Sequence, residues 1–160
     1  MIECKFEYGK KVNLRHTTVD ALMVKDNKIL LTKRSENLSQ SGKYCLPGGY
    51  LDMNETTSQA VLRELREETG YEGKVKFLLR INDDPARKND PQQNINFVYM
   101  IEPGEQSGTA DSEVTEIKWF NLDKIPNPDN MAFDHYKSIE LYKQYIKKNF
   151  PLPYIDGINT

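Results

Sequence analysis

The chain has 160 residues, of which 38% are hydrophobic and 29% are charged, and its formal net charge is -2. This length suits one domain over residues 1–160 that buries a core without disulfides, and no apolar run is long enough to cross a membrane. The pI of about 5.8 argues against general nucleic-acid binding, because proteins that rely on phosphate contacts are normally basic.

The scarcity of cysteine and histidine limits the chemistry further. Cys4 and Cys45 are too few for a disulfide framework, and no basic segment followed by an apolar one opens the chain, so a cytoplasmic protein with free thiols is expected. His16 and His135 are the only histidines, so any bound metal should have oxygen ligands. Oxygen ligands favour a hard cation such as Mg²⁺ or Mn²⁺.

Hydrophobic periodicity and turn residues predict the elements in chain order. Strands are predicted over 17–24, 29–32, 75–81, 94–101 and 116–120, and helices over 56–69 and 134–148. The first two strands should form a hairpin, the polar loop 82–93 should be the main specificity element, and the tail from Pro151 should dock loosely. Strands interspersed with helices predict an α/β domain in which helices flank a mixed sheet.

The segment from Thr56 to Gly70 carries the clearest helix signal. Thr56 followed three residues later by Gln59 fits a capping box, and Gly70 is the expected stop. At 100° per residue, Glu64, Glu67 and Glu68 fall within about 100° of one another, beside the apolar stripe of the helix. A solvated acidic face is the ordinary explanation for such a run.

Two details favour a functional explanation for these carboxylates. They border the apolar stripe, so they should be only partly exposed, and the helix follows the Gly48-Gly49 loop, whose backbone could approach an anion. Clustered carboxylates beside such a loop suggest Mg²⁺ holding a phosphorylated substrate.

These residues also form a recognisable pattern. Gly49 and Glu55 precede the run Arg63-Glu64-Leu65-Arg66-Glu67-Glu68-Thr69-Gly70, and together they resemble the Nudix box. Tyr71 departs from the pattern, since the family usually has an aliphatic residue there. The resemblance implies a Nudix α/β/α sandwich with a mixed sheet and a carboxylate-bearing helix. It also implies hydrolysis of a nucleoside diphosphate linked to another group, with a divalent cation.

The resemblance further implies roles for individual residues. Glu67 and Glu68 match the metal-binding carboxylates, and Glu64 matches a further ligand or base. Gly49 matches the loop position whose carbonyl oxygen often coordinates the metal in the family. Arg63 matches the arginine that orients a box glutamate, and Glu55 matches the glutamate that connects the loop to the helix.

Other residues are candidates on position alone. Which carboxylate acts as the base varies within the family, and either Glu113 or Glu116 is a further candidate, with strand-edge charge as the ordinary explanation. Arg34, Arg80 and Arg87 are the predicted substrate contacts, although surface arginines are common.

His135 could act as a base, but a helix start capped by Asp134 explains its segment equally well. Cys45 is not expected to be catalytic, because Nudix chemistry uses water.

The substrate remains open at this level. An ADP-ribose-like small-molecule nucleotide is favoured because Pro85 lies close to the position where ADP-ribose pyrophosphatases carry a proline. Nucleoside triphosphates, a coenzyme A-type substrate suggested by Leu30 to Ser35, a messenger-RNA cap and a non-catalytic ligand-binding module are the alternatives. Dimers are frequent in the family, so a homodimer also stays open, but the sequence shows no interface signature.

Overall fold

The structure is a computed structural model that describes residues 2–87, 90 and 92–158. Its elements are β1 (Ile2–Lys5), β2 (Lys11–Leu14), β3 (Thr17–Lys25), β4 (Lys28–Arg34), β5 (Tyr44–Cys45), β6 (Gly48–Tyr50), α1 (Thr57–Thr69), β7 (Tyr71–Asn82), β8 (Ile95–Gln106), β9 (Val114–Asn121), α2 (His135–Lys147) and β10 (Tyr154–Ile155). Residues 88, 89 and 91 of the predicted specificity loop lie outside the described part. No helix in the described ranges is long and apolar enough to cross a membrane.

The predicted hairpin is confirmed. β3 and β4 pair antiparallel, with Val24 opposite Ile29 and Lys25 opposite Lys28. Asp26 and Asn27 form the turn with φ of 50° and 58°, and two consecutive positive φ values match the twist that a two-residue hairpin requires.

β3 lies inside a mixed sheet whose strand order is β10-β7-β8-β3-β4-β5. It pairs in parallel with β8, from Thr17 opposite Ile95 to Met23 opposite Ile101. β6 pairs with the start of β3, and β9 pairs with β4. The β1–β2 hairpin forms a separate two-stranded sheet, which the sequence did not predict.

The two faces of the sheet bury separate cores. Val19 and Met23 of β3 pack with Leu65 of α1, whereas Leu22 on the opposite face packs with Ile139 of α2. The alternation of β3 side chains therefore places one helix on each face. This arrangement confirms the predicted α/β fold with a mixed sheet.

The ends of α1 follow the predicted signals. Thr56 accepts a hydrogen bond from the backbone N–H of Gln59, and the Gln59 side chain completes the capping box. Gly70 ends the helix with φ of 69°, and a Cβ at Gly70 would lie 2.1 Å from the carbonyl oxygen of Gly108. Glycine is therefore needed there for both backbone conformation and space.

The tail contradicts the prediction of loose docking. Tyr154 and Ile155 pair in parallel with Arg80 and Ile81 of β7, and Asp156 forms an ion pair with the buried Arg80. The sequence signal was weak because the pairing segment is only two residues long. The tail therefore closes one edge of the sheet.

Candidate active site

A cleft of about 750 Å³ is lined by residues of α1 and of the start of α2. Its lining includes Thr18, Asp20, Arg34, Gly48, Gly49, Tyr50, Arg63, Glu64, Glu67, Arg87, Asp90, Asn94, Asn96, Asp111, Glu113, Phe133 and His135. Glu64 and Glu67 of α1 form one part of this lining, named the carboxylate wall, and side chains of β3, β8 and α2 form other parts. The volume lies within the range typical of small-molecule sites, roughly 300–1,000 Å³.

Arg63 is the centre of the carboxylate wall. Its Nη2 donates to Glu55 Oε1 at 2.7 Å, and its Nη1 donates to Glu64 Oε1 at 2.8 Å and to Glu67 Oε2 at 3.0 Å. A further bond from Nη2 reaches the carbonyl oxygen of Tyr50 at 3.0 Å. Arg63 thus offsets the repulsion between the glutamates and links the loop to the helix.

Glu68 is the most buried of the three helix carboxylates. Only 5% of the residue is exposed, and its Oε2 accepts a hydrogen bond from the Gly48 N–H at 3.2 Å. Burial raises the pKa of Glu68 to about 8, against the lowering effect of the Gly48 bond, and the charge of Glu64 adds to the rise. Burial also raises the pKa of Glu64, although Arg63 opposes that effect.

The two glycines before α1 are required by close approach. A Cβ at Gly49 would lie 2.6 Å from the Glu64 carboxylate, and a Cβ at Gly48 would lie 2.1 Å from the carbonyl oxygen of Val19. Both distances are far below van der Waals contact. The loop backbone at Gly49 therefore lies directly against the Glu64 carboxylate, a close approach of the kind expected from two consecutive glycines.

The donor chemistry of this wall fits a hard divalent cation. Its candidate ligands are carboxylate and carbonyl oxygens, which Mg²⁺ and Mn²⁺ prefer. Within the described residues, no three His, Cys, Asp or Glu side chains form a ready metal cluster. Glu64 and Glu67 accept hydrogen bonds from Arg63, and Glu68 accepts one from Gly48 N–H. A cation would therefore compete with these protein contacts for the carboxylates.

Two of the predicted substrate contacts do line the cleft. Arg34 and Arg87 both approach the Phe133 ring, with guanidinium carbons 5.3 and 5.7 Å from its centroid. The Nε of Arg34 donates to the Ser39 carbonyl at 2.8 Å, and that of Arg87 donates to Asp134 Oδ1 at 2.6 Å. These contacts hold two guanidinium groups in the same cleft that Glu64 and Glu67 line.

The structure places Arg80, the third predicted substrate contact, outside the cleft lining. Arg80 is 3% exposed and donates to Ser138 Oγ at 2.7 Å and to Asp134 Oδ2 at 2.8 Å, in addition to its ion pair with Asp156. Its strand position faces α2 and the tail. Arg80 is therefore a buried structural residue.

Glu116, a predicted catalytic residue, also lies outside the cleft lining. Glu116 lies within β9 opposite Lys33, outside the cleft lining, and accepts a hydrogen bond from the Tyr44 hydroxyl at 2.8 Å. Glu113 precedes the strand and does line the cleft. Of the two candidate carboxylates, Glu113 is the one that borders the cleft, and its catalytic role stays a prediction.

Asp134 does not cap α2 as the sequence suggested, and His135 has a structural contact. Asp134 precedes α2 but makes no side-chain cap bond; its carboxylate binds Arg80 and Arg87 instead. His135 Nδ1 accepts a hydrogen bond from the Leu46 N–H at 2.9 Å, and burial lowers its pKa. A neutral imidazole therefore supports the loop that leads into the two glycines.

Sequence reasoning missed Asp20. This carboxylate lies between Val19 and Ala21, both fully buried, and is itself 5% exposed while lining the cleft. The available signal was an acidic residue in the middle of an otherwise apolar strand.

Cys45 should be inert in the folded protein. It is 3% exposed, and burial raises its pKa to about 12, so the thiol stays protonated near neutral pH. Iodoacetamide should modify the half-buried Cys4 and reach Cys45 only after unfolding, as mass spectrometry would show. Cys45→Ser should retain most activity; a loss of more than about 10²-fold with an intact fold would indicate a nucleophilic role.

Comparisons with known proteins agree with this geometry. Residues 14–142 match the family model described as NUDIX domain. An ADP-ribose pyrophosphatase of Methanocaldococcus jannaschii is 39% identical over 128 residues, which cover 79% of this chain and 72% of that protein.

Two solved structures show the same fold. A NUDIX hydrolase from Nitrosomonas europaea has a TM-score of 0.78 at 20% identity, covering 96% of this chain and 91% of that one. An ADP-ribose pyrophosphatase from Streptococcus suis has a TM-score of 0.73 at 20% identity, covering 89% and 100%. From the family match, the relative and the intact box on α1, the chain belongs to the Nudix family and is a pyrophosphohydrolase.

Proposed function

We propose that this protein hydrolyses the pyrophosphate bond of a nucleoside diphosphate linked to another moiety, with an ADP-ribose-like substrate, and that it uses Mg²⁺ or Mn²⁺. The observation that carries the proposal is that one cleft is lined both by the carboxylates of Glu64 and Glu67 and by the guanidinium groups of Arg34 and Arg87. A pyrophosphate between them would meet a cation-binding surface and two guanidinium groups. The M. jannaschii relative supports the choice of substrate.

Glu64, Glu67, Glu68 and the Gly49 carbonyl would hold the cation. When bound, it neutralises the pyrophosphate charge and makes water more acidic. Arg63 keeps the glutamates together by charge-assisted hydrogen bonds.

The chain's other groups position the reactants. Arg34 and Arg87 orient the phosphates, since guanidinium groups suit phosphate oxygens. A carboxylate of α1, or Glu113, which also lines the cleft, accepts the proton of the attacking water. The water oxygen bonds to phosphorus as the bridging oxygen leaves, which yields a nucleoside monophosphate and a phosphorylated partner such as ribose 5-phosphate.

Product analysis tests both the substrate and the cation. With saturating Mg²⁺, ADP-ribose should yield AMP and ribose 5-phosphate on chromatography, and EDTA should abolish turnover until Mg²⁺ is restored in excess. ATP, sugar nucleotides and coenzyme A should be assayed in parallel. A higher kcat/KM for release of inorganic pyrophosphate from nucleoside triphosphates would refute the substrate, and full turnover in EDTA would refute the cation.

A further inference from the structure

Phe133 is a cleft-lining residue with an unusual backbone conformation. Its φ is 51°, a left-handed value that aromatic residues rarely adopt because the side chain crowds the backbone. The residues on both sides are fixed, since the Ala132 N–H donates to the Tyr44 carbonyl at 2.8 Å and Asp134 binds two buried arginines. Strained residues of this kind concentrate at functional sites, so the ring of Phe133 is a candidate for a role in the cleft.

Two guanidinium groups share the ring of Phe133. The guanidinium carbons of Arg34 and Arg87 are 5.3 and 5.7 Å from its centroid, which is inside the roughly 6 Å over which the negative face of an aromatic ring attracts a cation. Two like charges drawn to one ring repel each other, so the arrangement costs free energy unless negative charge offsets it. The ring face supplies part of that offset.

The two arginines differ in their other partners. Arg87 forms ion pairs with Asp134 at 2.6 Å and with Asp90 at 3.7 Å. Arg34 is half-buried and has no carboxylate within ion-pair distance among the residues that the structure describes. Its Nε donates to the Ser39 carbonyl, and the Phe133 ring lies beside its guanidinium carbon. The positive charge of Arg34 is therefore available to an anion in the cleft, and its position depends on Phe133 more than that of Arg87 does.

We propose that Phe133 is a positioning residue whose ring holds the guanidinium group of Arg34 beside that of Arg87, so that the two form an anion site for phosphate oxygens of the substrate. The inference rests on the proposed function and assigns the residue that keeps the phosphate-binding arginines together. Guanidinium groups suit phosphate oxygens because they can donate two parallel hydrogen bonds. A long side chain that is already held against a ring loses less rotamer freedom when the phosphate binds. Phe133 thereby strengthens binding and leaves the chemical step unchanged.

Binding of inorganic pyrophosphate with Mg²⁺, measured by calorimetry, tests this role without a nucleotide substrate. Phe133→Leu keeps apolar volume but removes the aromatic face, and it should raise the Kd by about 10-fold. Phe133→Tyr keeps the ring and should bind as the wild type does. Phe133→Gly adopts a positive φ without crowding, so it should fold, as circular dichroism would show, and still have the weaker binding of Phe133→Leu. This variant separates the effect of the ring from that of the backbone.

A double-mutant cycle distinguishes positioning from a general structural effect. In an Arg34→Gln background, Phe133→Leu should raise the Kd by no more than about 2-fold, because the ring no longer has this cation to hold. Phe120→Leu is the matched control, since Lys118 Nζ lies 5.2 Å from the Phe120 ring centroid outside the cleft lining, and it should leave the Kd unchanged. The proposal is overturned by an equal loss with and without Arg34, by wild-type binding in Phe133→Leu, or by a wild type that does not bind pyrophosphate.

Kinetics with ADP-ribose separate this role from failure of the proposed function. With ADP-ribose as the substrate, Phe133→Leu should raise KM by about 10-fold and keep kcat within about threefold of the wild type. A loss confined to kcat would contradict the positioning role. If the wild type does not hydrolyse ADP-ribose, the substrate assignment fails, and the pyrophosphate cycle still decides the role of Phe133.

Discussion

Glu68→Gln is expected to lower kcat by on the order of 10²–10⁴-fold, the range for losing a metal ligand or a catalytic base, while the protein still folds. Glu67→Gln should have a similar effect on kcat. Glutamine keeps the shape of the side chain and can still accept the bond from Gly48 N–H, so the loss reports on charge. Glu105→Gln, on an exposed part of β8, is the control and should keep full activity.

Glu68→Gln should also raise the free energy of unfolding of the metal-free protein. The pKa of Glu68 is about 8 in the folded state against an ordinary value of 4.5, so the folded state binds the proton more tightly than the unfolded state does. Stability that is present below pH 4.5 is therefore lost as the pH rises towards 8. In EDTA, the melting temperature of Glu68→Gln should exceed that of the wild type at pH 8, and the two melting temperatures should converge near pH 4.5.

Wild-type activity in Glu68→Gln would show that the catalytic site is misassigned.

Asp134→Ala is expected to cost roughly 3–5 kcal/mol of unfolding free energy, the range for breaking a buried ion pair. Asp134 receives bonds from Arg80 and Arg87, whose side chains are each 4% exposed. Burial would raise its pKa, but the two arginines outweigh that effect and hold the pKa below its usual range. The alanine variant leaves both guanidinium groups without this partner in the interior.

Chemical denaturation of both variants measures this effect. Asp134→Asn should fall between Asp134→Ala and the wild type, because the amide oxygen can still accept hydrogen bonds. Asp129→Ala, at an exposed position, should change stability by less than about 0.5 kcal/mol. A cost below about 1 kcal/mol for Asp134→Ala would contradict the assigned role of the ion pairs.

The sequence was most informative where the signal is local. The capping box at Thr56, the stop at Gly70 and the shared face of Glu64, Glu67 and Glu68 depend on spacings of a few residues. Local spacing determines helix geometry almost completely, so the carboxylate wall could be predicted.

Properties that depend on distant partners could not be predicted in this way. Arg80 and Arg87 are only a few residues apart and both side chains are buried, yet Arg80 pairs with Asp156 of the tail and only Arg87 lines the cleft. Similarly, Glu113 faces the cleft and Glu116 does not, because β9 begins between them. Asp20 was missed because strand alternation alone does not show which buried polar residue faces a cavity.

The parallel pairing of β3 with β8 determines when the protein can fold during its synthesis. β3 ends at Lys25 and β8 begins at Ile95, so a nascent chain that stops after α1 has an unpaired edge on β3. The chain loses the entropy of closing the loop between these strands before the β3–β8 contacts can stabilise it. Until β8 leaves the ribosome, the apolar side chains of Leu22 and Met23 are therefore partly exposed to solvent. This is the stage at which the nascent chain most needs protection from aggregation.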